Sequence, residues 1–480
     1  MNIHELGLAG LTGAIRAGAV SPSEVMAATL DRIARVNPAL NAVVSLLDAD
    51  HLMAQARAAD GVAGVAGVAG VAGVAGGPLH GVPWAVKDLV ATAGLRTTWG
   101  SPLYANHVPQ KDDLLAARLH AAGAIFIGKT NVPEWGQGSH SYNPVFGVTR
   151  NPYATDRSAG GSSGGAAAAL AARLVAGADG SDMMGSLRNP AAFCNVYGFR
   201  PSWGLIPQDA VGDTFLATLA TDGPMARDID DLALILRVMA GNHPATPFGR
   251  GDFTGIEPVD LRGQRIGWLA DWGGAYPMEP GILDHCETGL NLFRDLGATI
   301  EPLAPPFPAD ALWQSWTSLR SFLTAGGKRA LWENPETRVQ LKPETLWEID
   351  QGRAITAEAL YKASETRSRW YARAARLFET YDALILPSAQ VWPFPATWDW
   401  PKSIAGQTMD SYHRWMEVVI PASLAGLPAL ALPCGLGVSG LPMGLQLIGP
   451  VGSDARLLGM GKAYHKASDW PGRLPPDLPV

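Results

Sequence analysis

Apolar and polar positions along this chain change rhythm near residue 78. Residues 1–80 read as largely helical, and Ser21-Pro22-Ser23-Glu24 is a helix start. Ser21 can cap the first turn, Pro22 suits the first helical position, and Glu24 closes a capping box. That helix is expected to end near Arg35, because Asn37-Pro38 disfavours helical backbone before the proline. Beyond residue 78, short apolar runs have the length and content of buried strands. They are Trp84-Ala85-Val86, Ala124-Ile125-Phe126-Ile127, Ala383-Leu384-Ile385-Leu386 and Ala429-Leu430-Ala431-Leu432. Amphipathic helices are predicted over 112–122, 228–239 and 281–296, and an alanine-rich helix over 166–175. Strands alternating with helices imply an α/β layer architecture with a parallel or mixed sheet. No linker rich in Ser, Pro or charge divides the chain, so a single domain over 1–480 is expected. Residues 61–76 repeat Gly-Val-Ala with period three. Glycine this dense weakens helix and strand alike, and the proline that collagen needs is missing, so the run reads as a surface loop.

Composition narrows the class. Of the 480 residues 47% are hydrophobic and 17% charged, the profile of a large buried core. The net charge is -7 and no long basic run occurs, which disfavours a nucleic-acid partner but not a small anionic substrate. Cys194, Cys286 and Cys434 are too widely spaced for a zinc site or a disulfide framework, and a reducing compartment suits them. Cys194 lies in an apolar context and reads as core packing. The N-terminal residues lack the basic and apolar regions of a signal peptide. The apolar stretch near 166–177 carries Arg173 and is too short to span a bilayer. A soluble, cytoplasmic protein without membrane contact is expected.

Three motifs compete for the chemistry. Residues 123–130, Gly-Ala-Ile-Phe-Ile-Gly-Lys-Thr, match the phosphate-binding loop pattern formally. Their middle is itself a β-type run, so the amides a phosphate needs are already spent in a sheet. Gly161-Ser162-Ser163-Gly164-Gly165 fits the nucleophile-elbow pattern with Ser163 as nucleophile, but the preceding Arg157-Ser158-Ala159-Gly160 is not the buried strand that an elbow requires. The third is a set of segments. Gly160–Gly165 and Gly180-Ser181-Asp182-Met183-Met184-Gly185-Ser186-Leu187-Arg188-Asn189-Pro190 flank the alanine-rich helix, and Lys87 ends the run Trp84-Ala85-Val86. A short helix can return the chain so that both serine loops meet.

These blocks, together with Gly198-Phe199-Arg200-Pro201, Gly128-Lys129-Thr130-Asn131-Val132-Pro133-Glu134 and Gly440-Leu441-Pro442-Met443-Gly444, resemble the amidase signature family. The resemblance is dense over 78–205 and 380–450 and weak over 250–380, so core segments at 78–240 and 380–470 are expected to flank a variable segment that forms the substrate pocket. It implies an amidase-signature α/β fold, with a central mixed sheet flanked by helices on both faces. It implies Ser186 as nucleophile, Ser162 as bridging serine after a cis peptide bond, and Lys87 as base. Met183, Met184, Gly185 and Ser186 are the expected oxyanion hole, with Ser163, Asp182 and Arg188 in support. No cofactor and no metal are implied. One departure stands out: Met184-Gly185 occupies the place of the family's Gly-Gly, so Met184 is expected to narrow the pocket.

The residue types suit amide hydrolysis. A serine needs an adjacent base, and a lysine serves when burial keeps it neutral. A hydroxyl between them can accept and donate at once. The expected reaction is C–N cleavage of an amide, with carbamates or esters as side substrates. The bland alternative for Lys87 is a surface ion pair with Asp88. The expected substrate is a small amide with an apolar or aromatic group, and the expected state is monomer or homodimer. Trp313, Trp316, Trp332, Trp347, Trp392, Trp398 and Trp400 read first as core and loop packing, with an apolar acyl or aryl pocket as the alternative. Two other classes compete: an amidotransferase component that feeds ammonia to a partner, and a nucleotide hydrolase.

Overall fold

The capping signals at the N-terminus are used as written. In the computed structural model, which describes residues 2–60, 76–209, 213–244, 246–247 and 256–478, helix α1 (Pro22–Leu40) begins with the complete Ser21–Glu24 capping box. The helix runs past the expected stop near Arg35. Pro38 lies in its last turn, where the missing N–H removes one bond only, and Asn41 closes the helix in the left-handed conformation. The Asn37 side chain then braces the exit by accepting the amides of Ala42 and Val43, both at 2.9 Å. Of the Gly-Val-Ala repeat, residues 61–75 lie outside the described residues.

Each of the four apolar runs falls in a strand. A small sheet combines β1 (Val43–Val44), β2 (Pro83–Lys87) and β3 (Ile125–Thr130) in the order β1-β3-β2, with β2 and β3 parallel. The phosphate-loop match is therefore part of β3. Its Lys129 is buried and donates to Val90 O (2.5 Å) and Thr92 Oγ1 (2.8 Å), and no phosphate cradle forms there. The alanine-rich helix, α2 (Gly164–Ala171), starts two residues before the expected 166–175 and stops four short, because Arg173 turns left-handed just after it.

The main sheet is mixed. It contains β4 (Ala178–Asp182), β5 (Tyr197–Arg200), β6 (Thr221–Ala226), β7 (Arg265–Trp268), β8 (Thr299–Pro302), β9 (Ala383–Pro387), β10 (Ala429–Leu436) and β11 (Pro442–Ile448). The spatial order is β8-β7-β9-β11-β10-β5-β6-β4. Strands β8, β7 and β9 run parallel, and every later pairing is antiparallel. Helices α3 (Arg188–Phe193), α4 (Ile229–Met239), α5 (Ile282–Asp295) and α8 (Asp454–Ser468) pack against this sheet, while α6 (Ala309–Gly327) and α7 (Pro343–Ala354) pack on each other. The predicted helices over 228–239 and 281–296 are α4 and α5, and 112–122 is the helix Leu114–Ala121. Among the described residues no helix is long and apolar enough to cross a membrane.

Helix α2 is buried along its whole length, which alanine and glycine permit because they bring backbone close to backbone. At Gly165 an added Cβ would lie 2.3 Å from the Asn131 amide nitrogen and 2.7 Å from Ala42 O. Neither atom belongs to a flexible side chain, so the helix sits as close to the small sheet as glycine allows. Gly165→Ala is expected to destabilise the protein by about 1–3 kcal/mol. Urea unfolding of both proteins checks this, and an unchanged midpoint would contradict the packing argument.

Candidate active site

Strand β2 delivers Lys87 into the interior, and its neighbour strand fixes where. Asp179 on β4 accepts the Lys87 amide (3.0 Å) and the Trp84 indole N–H (2.9 Å), stitching the two strands together. The Lys87 amine then reaches Ser162 Oγ (2.9 Å), Ser163 Oγ (2.8 Å) and Ser181 Oγ (3.0 Å). It does not pair with Asp88, whose carboxylate accepts the amide (3.0 Å) and the hydroxyl (2.5 Å) of Thr98. Lys87 is buried, and this burial pushes its ammonium down to about 8, against the opposing pull of Asp222, Asp179 and Asp182. Burial in turn lifts the Asp222 carboxyl to about 6, with the Gln208 hydrogen bond (3.0 Å) and Lys87 acting the other way.

The loop carrying Ser162 comes from a short two-stranded ribbon. A strand, Ala154–Ser158, does precede it, but most of its residues are not buried, so it is no elbow strand. The peptide Gly161–Ser162 is cis. Ser139 donates to Gly161 O (2.6 Å) and Ser141 receives the Gly164 amide (3.1 Å), so two further serines hold the loop from behind.

The loop carrying Ser186 is wrapped around Asp182. This carboxylate accepts the amides of Gly185 (2.8 Å) and Leu187 (3.2 Å) and a forked pair from Arg188, Nε at 3.0 Å and Nη2 at 2.9 Å. Arg188 spends its remaining donors on Val419 O (3.0 Å), Gln446 Oε1 (2.6 Å) and Ser423 Oγ (2.6 Å), and Arg200 donates to Asp182 O. Burial works against the Asp182 carboxylate, but Arg188 and Arg200 outweigh it and hold its pKa well below the usual range. Gly185 has φ +80°, and a Cβ there would meet Asn189 Oδ1 at 2.7 Å, so only glycine fits the turn. Its amide is committed to Asp182, which narrows the expected oxyanion set. Among the described residues the amides of Met183, Met184 and Ser186 have no acceptor. Met184 keeps a negative φ and packs its side chain into the core while edging the cavity. The Ser163 amide joins the two loops by donating to Ser186 O (3.3 Å).

Ser162, Ser181 and Ser186 open onto one cavity of about 600 Å³, mostly apolar in lining. None of Trp313, Trp316, Trp332, Trp347, Trp392, Trp398 and Trp400 lines it, which leaves the alternative pocket reading of these residues without support. Trp316 is sealed in the core, Trp392 packs on Gly437 and donates to Pro280 O (3.2 Å), and Trp332 stacks under Arg353. The wall is built instead by Trp135, Leu89, Leu219, Phe322, Leu323 and Met416. Composition could not separate core from pocket tryptophans. Sequence reasoning also missed Ser181 and Asp222, though a signal exists: Asp179 and Ser181 alternate onto one face of β4, and Ser181 pairs with Asp222 across the sheet. Cys194 is buried and packs as core, its thiol 3.5 Å from Ala159 O.

Residues 24–458 match the Amidase family, and the chain belongs to that family. It is similar over its full length to a glutamyl-tRNA(Gln) amidotransferase subunit from Roseiflexus sp. (strain RS-1), at 35% identity covering 100% of this chain and 99% of the relative. An acylamidase of Rhodococcus erythropolis is 31% identical over 99% of this chain and 98% of its own. Among solved structures, a bacterial aryl acylamidase of the amidase signature enzymes superposes with a TM-score of 0.89 at 28% identity, covering 100% of both chains. The protein is thus an amidase signature family hydrolase, an enzyme acting on C–N amide bonds.

Removing Arg188 takes the forked ion pair from the buried Asp182 carboxylate and leaves it Arg200 at 3.4 Å as its one remaining cation among the described residues. Arg188→Met is expected to cost about 3–5 kcal/mol. Arg188→Lys should recover only part of it, since an ammonium cannot reproduce the fork. Denaturant melts of the three proteins decide this, and near-equal stabilities would overturn the role given to the pair.

Proposed function

We propose that this protein is a stand-alone hydrolase of small amides, with Ser186 as nucleophile, Ser162 as proton bridge and Lys87 as general base. The observation that carries the reading is the buried Lys87 amine hydrogen-bonded to Ser162 at the floor of a cavity that Ser186 also lines. In this reading neutral Lys87 takes the Ser162 proton as Ser162 takes that of Ser186. The Ser186 oxygen attacks the carbonyl carbon, and the oxyanion settles against the amides of Met183, Met184 and Ser186. One such donor is typically worth about 2.7–4 kcal/mol. The relay then runs backwards and protonates the leaving nitrogen as the C–N bond breaks. Water releases the acid from the acyl-enzyme by the same relay, which restores the Ser186 hydroxyl.

Ser163 and Ser181 in this reading hold the amine on line. Asp182 and Arg188 shape the nucleophile loop without touching substrate. Esters and carbamates present the same carbonyl to the same groups and are expected as side substrates.

A second reading is a component of an amidotransferase, favoured by the full-length 35% identity to such a protein in Roseiflexus. The two differ in whether the purified chain alone turns over simple amides. A panel of amides, esters and carbamates without a partner protein should give turnover under the first reading and none under the second.

The active base is the neutral amine, and its conjugate acid sits at about 8. kcat/KM is therefore expected to rise with pH through about 8 and then level. A rate independent of pH between about 6 and 10 would exclude a lysine base. A sulfonyl fluoride is expected to label Ser186, and Ser186→Ala to remove both the label and, by at least about a thousandfold, the activity. Mass-spectrometric mapping of the label to Ser163 would refute the assignment.

A further inference from the structure

One wall of the cavity is cationic, and the hydrolytic machinery does not use it. It lies where α6 ends, opposite the loop bearing Trp135. Lys328, just past the helix, holds its amine 4.0 Å above the Trp135 ring, and among the described residues this amine has no oxygen acceptor. A ring face stabilises an ammonium but fills none of its N–H directions as an oxygen would. Arg320, two turns earlier, also lines the cavity. Its Nε is bound to Glu348 Oε1 (2.5 Å) and its Nη2 to Tyr412 Oη (2.7 Å). Among the described residues its Nη1 meets only the Met183 thioether at 3.3 Å, a weak acceptor for a nitrogen with two N–H bonds.

The neighbouring carboxylates do not relieve this wall. Glu348 is taken by Arg320 and also accepts from Gln137 (2.8 Å) and Thr324 (3.2 Å). Glu134 accepts from the Ser101 hydroxyl (2.6 Å). Lys342 adds a third cation and donates to Gln137 O (2.7 Å). Lys328 thus feels Glu134 and Glu348 with Arg320 and Lys342 beside it, and Lys342 has Glu344 as its nearest opposing charge. Burial pushes the Lys328 ammonium down to about 8, against the opposing pull of Glu134 and Glu348. The acidic residue on the far wall, Asp213, is committed to the amides of Leu216 (2.5 Å) and Ala217 (3.1 Å).

We infer that the cavity selects amides whose end remote from the scissile bond carries a carboxylate, bound by Lys328 Nζ and the free N–H of Arg320. The inference rests on the amide-hydrolase reading and names its substrate class. A carboxylate fits because its two oxygens match the two donors left without an oxygen acceptor among the described residues, Lys328 Nζ and Arg320 Nη1. The mostly apolar lining of the cavity suits an aliphatic or aryl spacer.

The test is a graded series of anilides with a terminal carboxylate, each matched by its methyl ester. Wild-type kcat/KM is expected to favour the acid over its methyl ester by about tenfold or more at the best spacer length. Lys328→Met should lower that acid-to-ester ratio about tenfold, and Lys328→Arg should largely keep it. A wild-type ratio near one, or a ratio unmoved by Lys328→Met, overturns the inference. Ser186-dependent turnover of the methyl esters at their anilide bond would then still support the hydrolase reading. Absence of turnover for every member of the series would overturn both.

Discussion

An amine taken out of water governs this site. Lys87 ends a strand with every residue buried, and the surroundings answer its charge with three serine hydroxyls and, farther off, three carboxylates. Burial favours the neutral amine and the carboxylates favour the ammonium. The balance leaves the group poised near 8, where it can gain or lose a proton at modest free-energy difference. A lysine on the surface would stay charged, and one buried without hydroxyl partners would have nothing to pass a proton to.

The surrounding structure serves to keep that amine and two serine loops in register. Asp179 ties the lysine strand to the main sheet. Asp182 and Arg188 wind the Ser186 loop around a single buried carboxylate, and the chain far away at Val419, Ser423 and Gln446 closes the guanidinium's remaining directions. Such a network is costly when broken and rigid when complete. It also uses the Gly185 amide, while the amides of Met183, Met184 and Ser186 have no acceptor among the described residues.

Much of this is legible in the chain. The Ser21 capping box, the four apolar strands and the serine-bearing blocks are local patterns, and each became the element or loop expected of it. The stop before Pro38 failed because a proline in the last turn removes one bond only, and Asn37 and Asn41 close the end. Ser181 and Asp222 escape a local reading because their importance lies across a sheet, in a register that no short pattern announces.

Sequence by itself determined the fold class and the family, since these reside in short-range patterns of spacing, capping and turn residues. Tertiary structure alone decided what surrounds them. It put Trp135 on the cavity wall, and none of Trp313, Trp316, Trp332, Trp347, Trp392, Trp398 and Trp400. It gave Arg188 its partners and left Lys328 without an acceptor among the described residues. Those outcomes depend on residues hundreds of positions apart meeting in one place, and the free energy of a charge is set by such neighbours rather than by its own place in the chain.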